Sequence, residues 1–318
     1  MLVPIVERMF AWFGVISASV LLLRFGRFVY FYFIQGPAVH SYRHGNEPWA
    51  FITGASAGIG GALGQEITKY GFNVILLGHK HEELEQQAST IKAASPNSQT
   101  KIVVADATKA SFSEIKAILE ASNILQLNIS VLINNVGGLG DIFTEYFKPF
   151  HRFTPQELDC VLAINNRFMV YLTSIMLPTL GRSPRSLIIN IGSIAEIGVP
   201  YQTMYSGTKG FIASFSKALD WELKAEGLNI DVTDILPGEV RSQGHRMEIN
   251  WRRPGVEKFA RAVLCKVGPG RGRHFIPYTP HRLLLWIFEN LPTNTMRRAA
   301  LTDDMRKMRD FYDGKKGS

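Results

Sequence analysis

A glycine-rich turn near the start of the chain has residue types and a spacing suited to phosphate binding. Gly54, Gly58 and Gly60 fall within seven residues, directly after a short apolar run. Glycine permits a tight turn and a close approach of the backbone to a ligand. A helix that begins at such a turn offers free amides and the positive end of its dipole. We therefore expect the turn to bind the pyrophosphate of a nucleotide.

The hydrophobic pattern predicts the elements that position this turn. Six apolar runs alternate with stretches of helical period; the runs are WAFIT, NVILL, KIVVA, SVLIN, SLIINIG and NIDVTDIL. Strands that alternate with helices form βαβ units and a parallel sheet buried on both faces. The sequence therefore predicts an α/β fold, a Rossmann-like doubly wound parallel sheet in a single domain over residues 48–282. Residues 1–47 form an N-terminal membrane anchor and linker, and residues 283–318 form a basic extension.

Further motifs follow the glycine turn in order along the chain. They are Asn134-Asn135-Val136-Gly137, Asn165, Asn190-Ile191-Gly192-Ser193, the YxxxK pattern of Tyr205 and Lys209, and Pro237-Gly238. With the TGxxxGIG form of the turn, they resemble the short-chain dehydrogenase/reductase family over about residues 48–245. One departure from the family is that Ser193 and Tyr205 are twelve residues apart, where relatives commonly show thirteen. We expect this shorter loop to reshape the substrate pocket and to leave Ser193 in place.

The resemblance implies a catalytic role for four residues in the transfer of hydride to a ketone. Tyr205 gives a proton to the alkoxide in reduction and removes it in oxidation. A tyrosine with its usual pKa near 10 is a reluctant partner at neutral pH. Lys209 lies one turn along the same helix, where its charge can lower that pKa. Ser193 polarises the carbonyl, and Asn165 holds a water that links Lys209 to solvent.

The resemblance also implies that the cofactor is NADPH or NADP. The residues expected to bind it are Gly54, Ser56, Gly58, Ile59, Gly60, His79, Lys80, Asp106, Asn135, Gly137, Tyr205, Lys209, Pro237, Gly238 and Val240. NAD-specific folds place an acid after the second strand, where it binds the ribose. This chain has His79 and Lys80 there and no acid before Glu82, which favours a 2′-phosphate. The alternative, a zinc site at His79 and His81, lacks further ligands at a suitable spacing.

The N-terminal segment indicates a membrane anchor. Residues 9–23 carry no charge, and apolar, aromatic character resumes at residues 28–34 after Arg24 and Arg27. With the arginines extended towards the interface, the stretch is long enough to span a bilayer. The alternative, a cleaved signal peptide, would need a small-residue cleavage site after the apolar run, and aromatic residues stand there instead.

Charge and cysteine usage predict the compartment. More arginines follow the anchor than precede it, which places the main domain in the cytosol. Two cysteines in 318 residues indicate a reducing environment. Lys315 and Lys316 resemble the dilysine retrieval signal of endoplasmic reticulum membrane proteins. We therefore expect an endoplasmic reticulum membrane protein whose catalytic domain faces the cytosol.

The net charge of +8 belongs to the last quarter of the chain, where seventeen Lys and Arg face seven Asp and Glu from Arg241 onwards. This basic region suits anionic lipid headgroups or a phosphate-bearing substrate, or forms a solvated surface without a partner. The pI of about 9.4 also suggests nucleic acid, but no recognition motif accompanies it. The apolar run 283–288 is too short to span a membrane, and we expect an ordinary core element there rather than a helix at the bilayer surface.

The whole-chain layout narrows the substrate. An anchor, the segment 42–45 before the first strand, the NNVG variant and the basic C-terminal region resemble membrane-bound very-long-chain 3-oxoacyl-CoA reductases and related 17β-hydroxysteroid dehydrogenases. The resemblance implies NADPH-dependent reduction of a 3-oxoacyl-CoA, with membrane lipids as neighbours and a homodimer formed through the long helices. Two alternatives stay open: a reductase of a lipophilic sterol, terpenoid or polyketide ketone, and a non-catalytic NADPH-binding scaffold.

Overall fold

A seven-stranded parallel sheet forms the centre of the domain. The structure, a computed structural model, describes residues 2–139, 145, 147–242 and 248–314. The strands are β1 (Trp49–Thr53), β2 (Asn73–Gly78), β3 (Thr100–Val104), β4 (Ile129–Asn134), β5 (Ser186–Ile191), β6 (Ile230–Ile235) and β7 (His274–Phe275). Their order across the sheet is β3-β2-β1-β4-β5-β6-β7, with parallel pairing throughout. The predicted doubly wound α/β fold is confirmed.

The described residues also form a set of α-helices. They are α1 (Leu2–Val29), α2 (Gly58–Thr68), α3 (His81–Ala94), α4 (Phe112–Ala121), α5 (Pro155–Leu162), α6 (Phe168–Leu180), α7 (Thr203–Ala225), α8 (Val256–Lys266), α9 (Thr279–Glu289) and α10 (Asn294–Gly314). α2, α3 and α8 share one core cluster with the sheet, whereas α4, α6 and α7 share the other. Strands β1, β2, β4, β5 and β6 are buried along their whole length, because parallel strands carry helices on both sides.

The direction of chain winding reverses between β1 and β4. From β1 the chain proceeds outwards through β2 to β3, and it then returns to β4 on the other side of β1. Doubly wound sheets bind ligands at such a point, in the crevice outside the carboxyl ends of the strands. The glycine turn follows β1 at this edge, and Ser193 and Pro237 follow β5 and β6.

From residue 6 onwards, most side chains of the N-terminal helix α1 are exposed, including its large apolar ones. Phe13 and Leu22 are 71% and 70% exposed. The described residues contain two helical stretches that are long and apolar enough to cross a membrane, Val6–Ile34 and Pro155–Leu180. The first is unburied, whereas half of the second lies in the core as α5 and α6. A π-helical turn, Tyr30–Ile34, joins α1 to the domain.

The expectation of an ordinary core element at residues 283–288 is wrong. This segment lies within α9, and three of its large apolar side chains, Leu283, Trp286 and Ile287, are about half exposed. The length of an apolar run shows that it cannot span a membrane, but not which way its side chains face. Lys315 and Lys316 lie outside the described residues.

Candidate active site

The glycine turn has the shape of a phosphate cradle. Gly54 and Gly58 both have φ of +61°, a left-handed conformation that favours glycine. A Cβ atom on Gly60 would lie 2.2 Å from the Gly54 carbonyl oxygen, so only glycine lets α2 pack this closely against β1. α2 begins at Gly58 and directs its first amides towards the turn. The turn therefore fits the pyrophosphate of a dinucleotide.

The loop after β4 is fastened to this turn by hydrogen bonds. The Asn135 side-chain amide donates to the carbonyls of Thr53 (3.1 Å) and Gly54 (3.2 Å). The Thr53 hydroxyl oxygen accepts from the backbone amides of Asn135 (2.9 Å) and Val136 (3.0 Å). Asn135, expected to bind cofactor, thus holds the glycine turn in shape. Thr53 does the same from β1, and sequence reasoning did not assign it a role.

Tyr205, Ser193 and Lys209 meet at the carboxyl end of β5. The Ser193 hydroxyl lies near enough to the Tyr205 hydroxyl to lower its pKa, and its oxygen accepts a hydrogen bond from the Ala195 amide at 3.1 Å. Burial raises the pKa of Tyr205, and Ser193 opposes that rise. The Lys209 amine donates to the Ile191 carbonyl at 2.8 Å and lies 5.4 Å from the centroid of the Tyr205 ring. Burial lowers the pKa of Lys209 to about 8, although the Asp234 carboxylate raises it.

Asn165 lies fully buried in a π-helical turn, Ala163–Arg167, between α5 and α6. Its amide group donates to the carbonyls of Gly138 (2.6 Å) and Val161 (2.9 Å), and its oxygen accepts from the Gly138 amide (3.0 Å). A Cβ atom on Gly137 would lie 2.9 Å from the Asn165 oxygen and 3.3 Å from the Lys209 amine. Gly137 therefore lets Asn165 and Lys209 come together beside the loop after β4.

A buried carboxylate lies behind Lys209, and sequence reasoning missed it. Asp234 is fully buried in β6, where it pairs with the last residues of β5. Its Oδ2 is 2.9 Å from His274 Nδ1, and the other ring nitrogen is 3.0 Å from the Glu196 carboxylate. The hydrogen bonds that the ring donates to the Asp234 and Glu196 carboxylates raise the pKa of His274 to about 10, so the ring is an imidazolium at neutral pH.

The second oxygen of this carboxylate points at the chain just after β5. Asp234 Oδ1 has no hydrogen-bond partner among the described residues. It lies 2.4 Å from the position of a Cβ atom on Gly192, the residue between Ile191 and Ser193. Burial raises the pKa of Asp234, while the bond to His274 and the charge of Lys209 lower it. Asp234 thus acts on Lys209 across the end of β5, and Gly192 leaves the space for it.

The remaining predicted cofactor residues lie around the same crevice. His79 and Lys80 are exposed between β2 and α3, and the Lys80 amine is 3.2 Å from the Glu83 carboxylate. Asp106 follows β3 and accepts hydrogen bonds from the amide (2.9 Å) and hydroxyl (2.6 Å) of Thr108. Ser56 and Ile59 lie within the turn and the first residues of α2, and Val240 is buried beyond β6.

The loop after β6 is held in place by a histidine from α9. The Gly238 amide donates to His281 Nδ1 at 3.1 Å, so the other ring nitrogen carries the proton and donates to the Arg252 carbonyl at 2.8 Å. His281 is buried, which lowers its pKa and favours this neutral form. A Cβ atom on Gly238 would lie 2.9 Å from the ring. Pro237 and Gly238 therefore depend on α9, which lies far away in sequence.

Comparisons with known proteins agree with this arrangement. Residues 48–253 match the sequence profile described as short chain dehydrogenase. The chain is 32% identical to a very-long-chain 3-oxoacyl-CoA reductase from Anas platyrhynchos over 252 residues, 78% of this chain and 77% of that protein. A very-long-chain 3-oxoacyl-CoA reductase from Lodderomyces elongisporus is 30% identical over 294 residues. The match spans 87% of this chain and 81% of that protein.

Solved structures share the fold at lower identity. A short chain dehydrogenase from Shigella flexneri superposes with a TM-score of 0.65 and 22% identity, covering 76% of this chain and 96% of that one. A short chain dehydrogenase from Escherichia coli CFT073, complexed with NADPH, has a TM-score of 0.64 and 22% identity. The superposition covers 73% of this chain and 97% of that one. The matched profile, the relatives and the order of the motifs lead to one conclusion: the chain belongs to the short-chain dehydrogenase/reductase family of oxidoreductases.

Proposed function

We propose that the protein reduces the 3-oxo group of a long-chain acyl-CoA to the 3-hydroxy form with NADPH. The observation that carries the proposal is the placement of the Ser193 and Tyr205 side chains beside the buried amine of Lys209, at the sheet edge that holds the phosphate cradle. Relatives named very-long-chain 3-oxoacyl-CoA reductase, about 30% identical over most of the chain, support the choice of substrate.

The chemistry follows from the protonation states of these residues. The nicotinamide cofactor supplies the hydride when it is bound. Burial raises the pKa of Tyr205, so the phenol keeps its proton at neutral pH and can donate it to the alkoxide that forms. Ser193 donates a hydrogen bond to the same oxygen and stabilises the developing charge. The ammonium of Lys209 favours the phenolate that remains.

Asn165 completes the proposed proton path. Its amide hydrogens are committed to Gly138 and Val161, while its oxygen accepts one bond and keeps a second lone pair. That lone pair can hold a water near Lys209, and such a water returns protons from solvent to the site.

A preference for NADPH rests on the charges after β2. Lys80 is exposed at the start of α3, and its partner Glu83 is exposed as well, so their ion pair is weak. An incoming 2′-phosphate competes for the same ammonium, with His79 and the hydroxyl of Ser56 as further donors. The NADPH complex of the Escherichia coli neighbour fits this proposal.

The substrate region combines apolar and basic side chains. A cavity of about 460 Å³ lies between the turn that follows Ser193 and the helices α9 and α10. Ile197, Pro200, Phe288 and Leu301 give it apolar walls, and its charged lining consists of Arg297 and Arg298 together with Glu289. An acyl chain suits the apolar walls, and the arginines suit the phosphates of coenzyme A. A lipophilic ketone without phosphate is the second candidate, because the same walls would hold it.

We further propose that α1 anchors the protein in the endoplasmic reticulum membrane, with residues 48–282 in the cytosol and residues 283–318 as a basic extension. The apolar, unburied stretch Val6–Ile34 supports the anchor. A homodimer through the long helices is proposed on family resemblance alone.

The substrate proposal is tested with purified full-length protein in detergent. NADPH oxidation is followed with a long-chain 3-oxoacyl-CoA, with the same chain as a pantetheine thioester that lacks the nucleotide phosphates, and with a panel of sterol and polyketide ketones. We expect the acyl-CoA to give the highest kcat/KM and NADH to replace NADPH poorly. Turnover of the free ketones alone would assign the protein to the second candidate function. Cofactor binding without turnover of any ketone or alcohol would favour a scaffold.

A further inference from the structure

Helix α9 presents an apolar face to the outside of the protein. Leu283, Trp286 and Ile287 are 49%, 53% and 49% exposed and are spaced i, i+3 and i+4, so they lie on one side of the helix. We call these three residues the α9 face. The opposite side carries the buried His281, which holds the loop after β6. An exposed apolar patch on a surface helix marks an interaction site.

The end of the N-terminal anchor is fixed next to this helix. The Tyr32 hydroxyl donates to the Ile276 carbonyl at 2.7 Å, three residues before α9. The Phe31 ring packs edge-on against Phe275 of β7, with centroids 5.1 Å apart. The Arg282 guanidinium of α9 lies close enough to act electrostatically on the Tyr32 phenol.

A buried lysine strengthens the same junction. Lys266 at the end of α8 donates to the carbonyls of Phe31 and Tyr32, the latter at 3.0 Å. Lys266 is only 7% exposed. Arg271 donates to the Gly36 carbonyl at 2.6 Å. Cations bound to the last carbonyls of a helix stabilise its end, so α1 leaves the domain at a fixed point beside α9.

We propose that the α9 face lies in the interfacial region of the lipid bilayer that α1 enters. The proposal rests on the membrane anchor proposed above and extends it to a second contact. A bilayer is favoured over a second copy of the chain because the α9 face adjoins the anchored end of an unburied apolar helix. Tryptophan next to arginine, here Trp286 and Arg282, suits the level of the lipid headgroups.

This orientation has a consequence for the substrate. Phe288, which directly follows Ile287 in α9, lines the cavity beside the turn that follows Ser193. With the α9 face in the bilayer surface, the cavity opens at the level of the lipids. An acyl chain can then pass from the membrane into the site without crossing water, while Arg297 and Arg298 remain near anionic groups at the surface.

The test uses full-length protein in vesicles of phosphatidylcholine and phosphatidylserine, in which the phosphatidylcholine is brominated high on its acyl chains. Bromine quenches tryptophan fluorescence at short range, so the quenched emission reports the tryptophans in lipid. Trp12 lies in α1, and Trp221, on α7, is 63% exposed and serves as the matched control for Trp286. Each is changed to Phe, a substitution that keeps an apolar ring.

We expect Trp286→Phe to reduce the quenched emission, because Trp286 would lie in lipid together with Trp12. Trp251→Phe measures the share of Trp251, which is 59% exposed and whose carbonyl accepts from Tyr278 just before α9. Trp221→Phe should leave the quenched emission unchanged. If only Trp12→Phe reduces it, the anchor stands and the α9 proposal is overturned. If neither Trp12→Phe nor Trp286→Phe reduces it, the anchor is overturned as well. Iodide in the water quenches exposed tryptophans. If Trp286 becomes less accessible to iodide as the protein concentration increases, and bromine does not quench it, the α9 face contacts a second copy of the chain instead of the membrane.

Discussion

The Asp234 carboxylate should set the pH range in which the enzyme works. It is buried behind Lys209 with one oxygen free and the other bonded to the His274 imidazolium. The pKa of Lys209 is about 8 with this charge in place. Asp234→Asn keeps the size of the side chain and removes the charge. The pKa of Lys209 then falls further, so the ammonium is lost at a lower pH.

The size of the effect can be worked out from that pKa. A nearby opposite charge shifts a pKa by roughly 1–3 units, and we take roughly one because the His274 imidazolium offsets part of the charge of Asp234. At about pH 8 the protonated fraction of Lys209 then drops from about one half to about one tenth, a loss of roughly five-fold. At about pH 6 both proteins keep Lys209 almost fully protonated, so their rates should be nearly equal.

The measurement is kcat/KM for ketone reduction as a function of pH. In the wild-type protein His274 does not titrate in this window, because hydrogen bonds to Asp234 and Glu196 raise its pKa to about 10, whereas in Asp234→Asn only the Glu196 carboxylate remains and the pKa of His274 falls together with that of Lys209. Asp231→Asn is the matched control: Asp231 is also buried in β6, but it bonds Tyr42 and Arg273. We expect the alkaline limb to move to lower pH in Asp234→Asn and not in Asp231→Asn. An equal loss of activity by Asp234→Asn at every pH would refute the electrostatic role.

Three other substitutions test the site and the fold. Gly60→Ala should abolish NADPH binding, measured by fluorescence titration, because the added Cβ would lie 2.2 Å from the Gly54 carbonyl oxygen. Retained affinity would show that the turn is not the phosphate site. Lys80→Ala should weaken NADPH binding by about 10-fold or more and leave NADH unchanged, and an equal loss for both would assign the phosphate elsewhere. Phe259→Ala should lower the free energy of unfolding by roughly 3–5 kcal/mol in denaturant titrations, since Phe259 is fully buried, and a loss below about 1 kcal/mol would contradict its place in the core.

The features that could be predicted are those set by short, continuous stretches of the sequence. The strands, the glycine turn and the spacing of Tyr205 and Lys209 can each be recognised within a short stretch of the chain. The structure places the glycine turn and the Tyr205–Lys209 pair at the same edge of the sheet. A glycine turn after a buried strand and before a helix has few other uses, so its position could be predicted without contacts from the rest of the chain.

The supporting residues could not be predicted in this way because their partners are distant in sequence. His281 holds Gly238 from 43 residues away, and His274 meets Asp234 across the pairing of β6 with β7. A buried aspartate in an apolar strand was the one available signal, since such a charge needs a partner. The exposure of Leu283, Trp286 and Ile287 also depends on packing, namely on which side of α9 faces the loop after β6.

The most direct test of the central claim is Tyr205→Phe. The variant keeps the ring and loses the hydroxyl group that lies beside Ser193. Reduction of a long-chain 3-oxoacyl-CoA is measured beside NADPH binding on the same preparation. We predict that the variant still binds NADPH, because it keeps the ring, the glycine turn and Lys209, and that it loses kcat by roughly 10²-fold or more, the range expected when a general acid is removed. Reduction at the wild-type rate would contradict the assignment of Tyr205 as the proton donor.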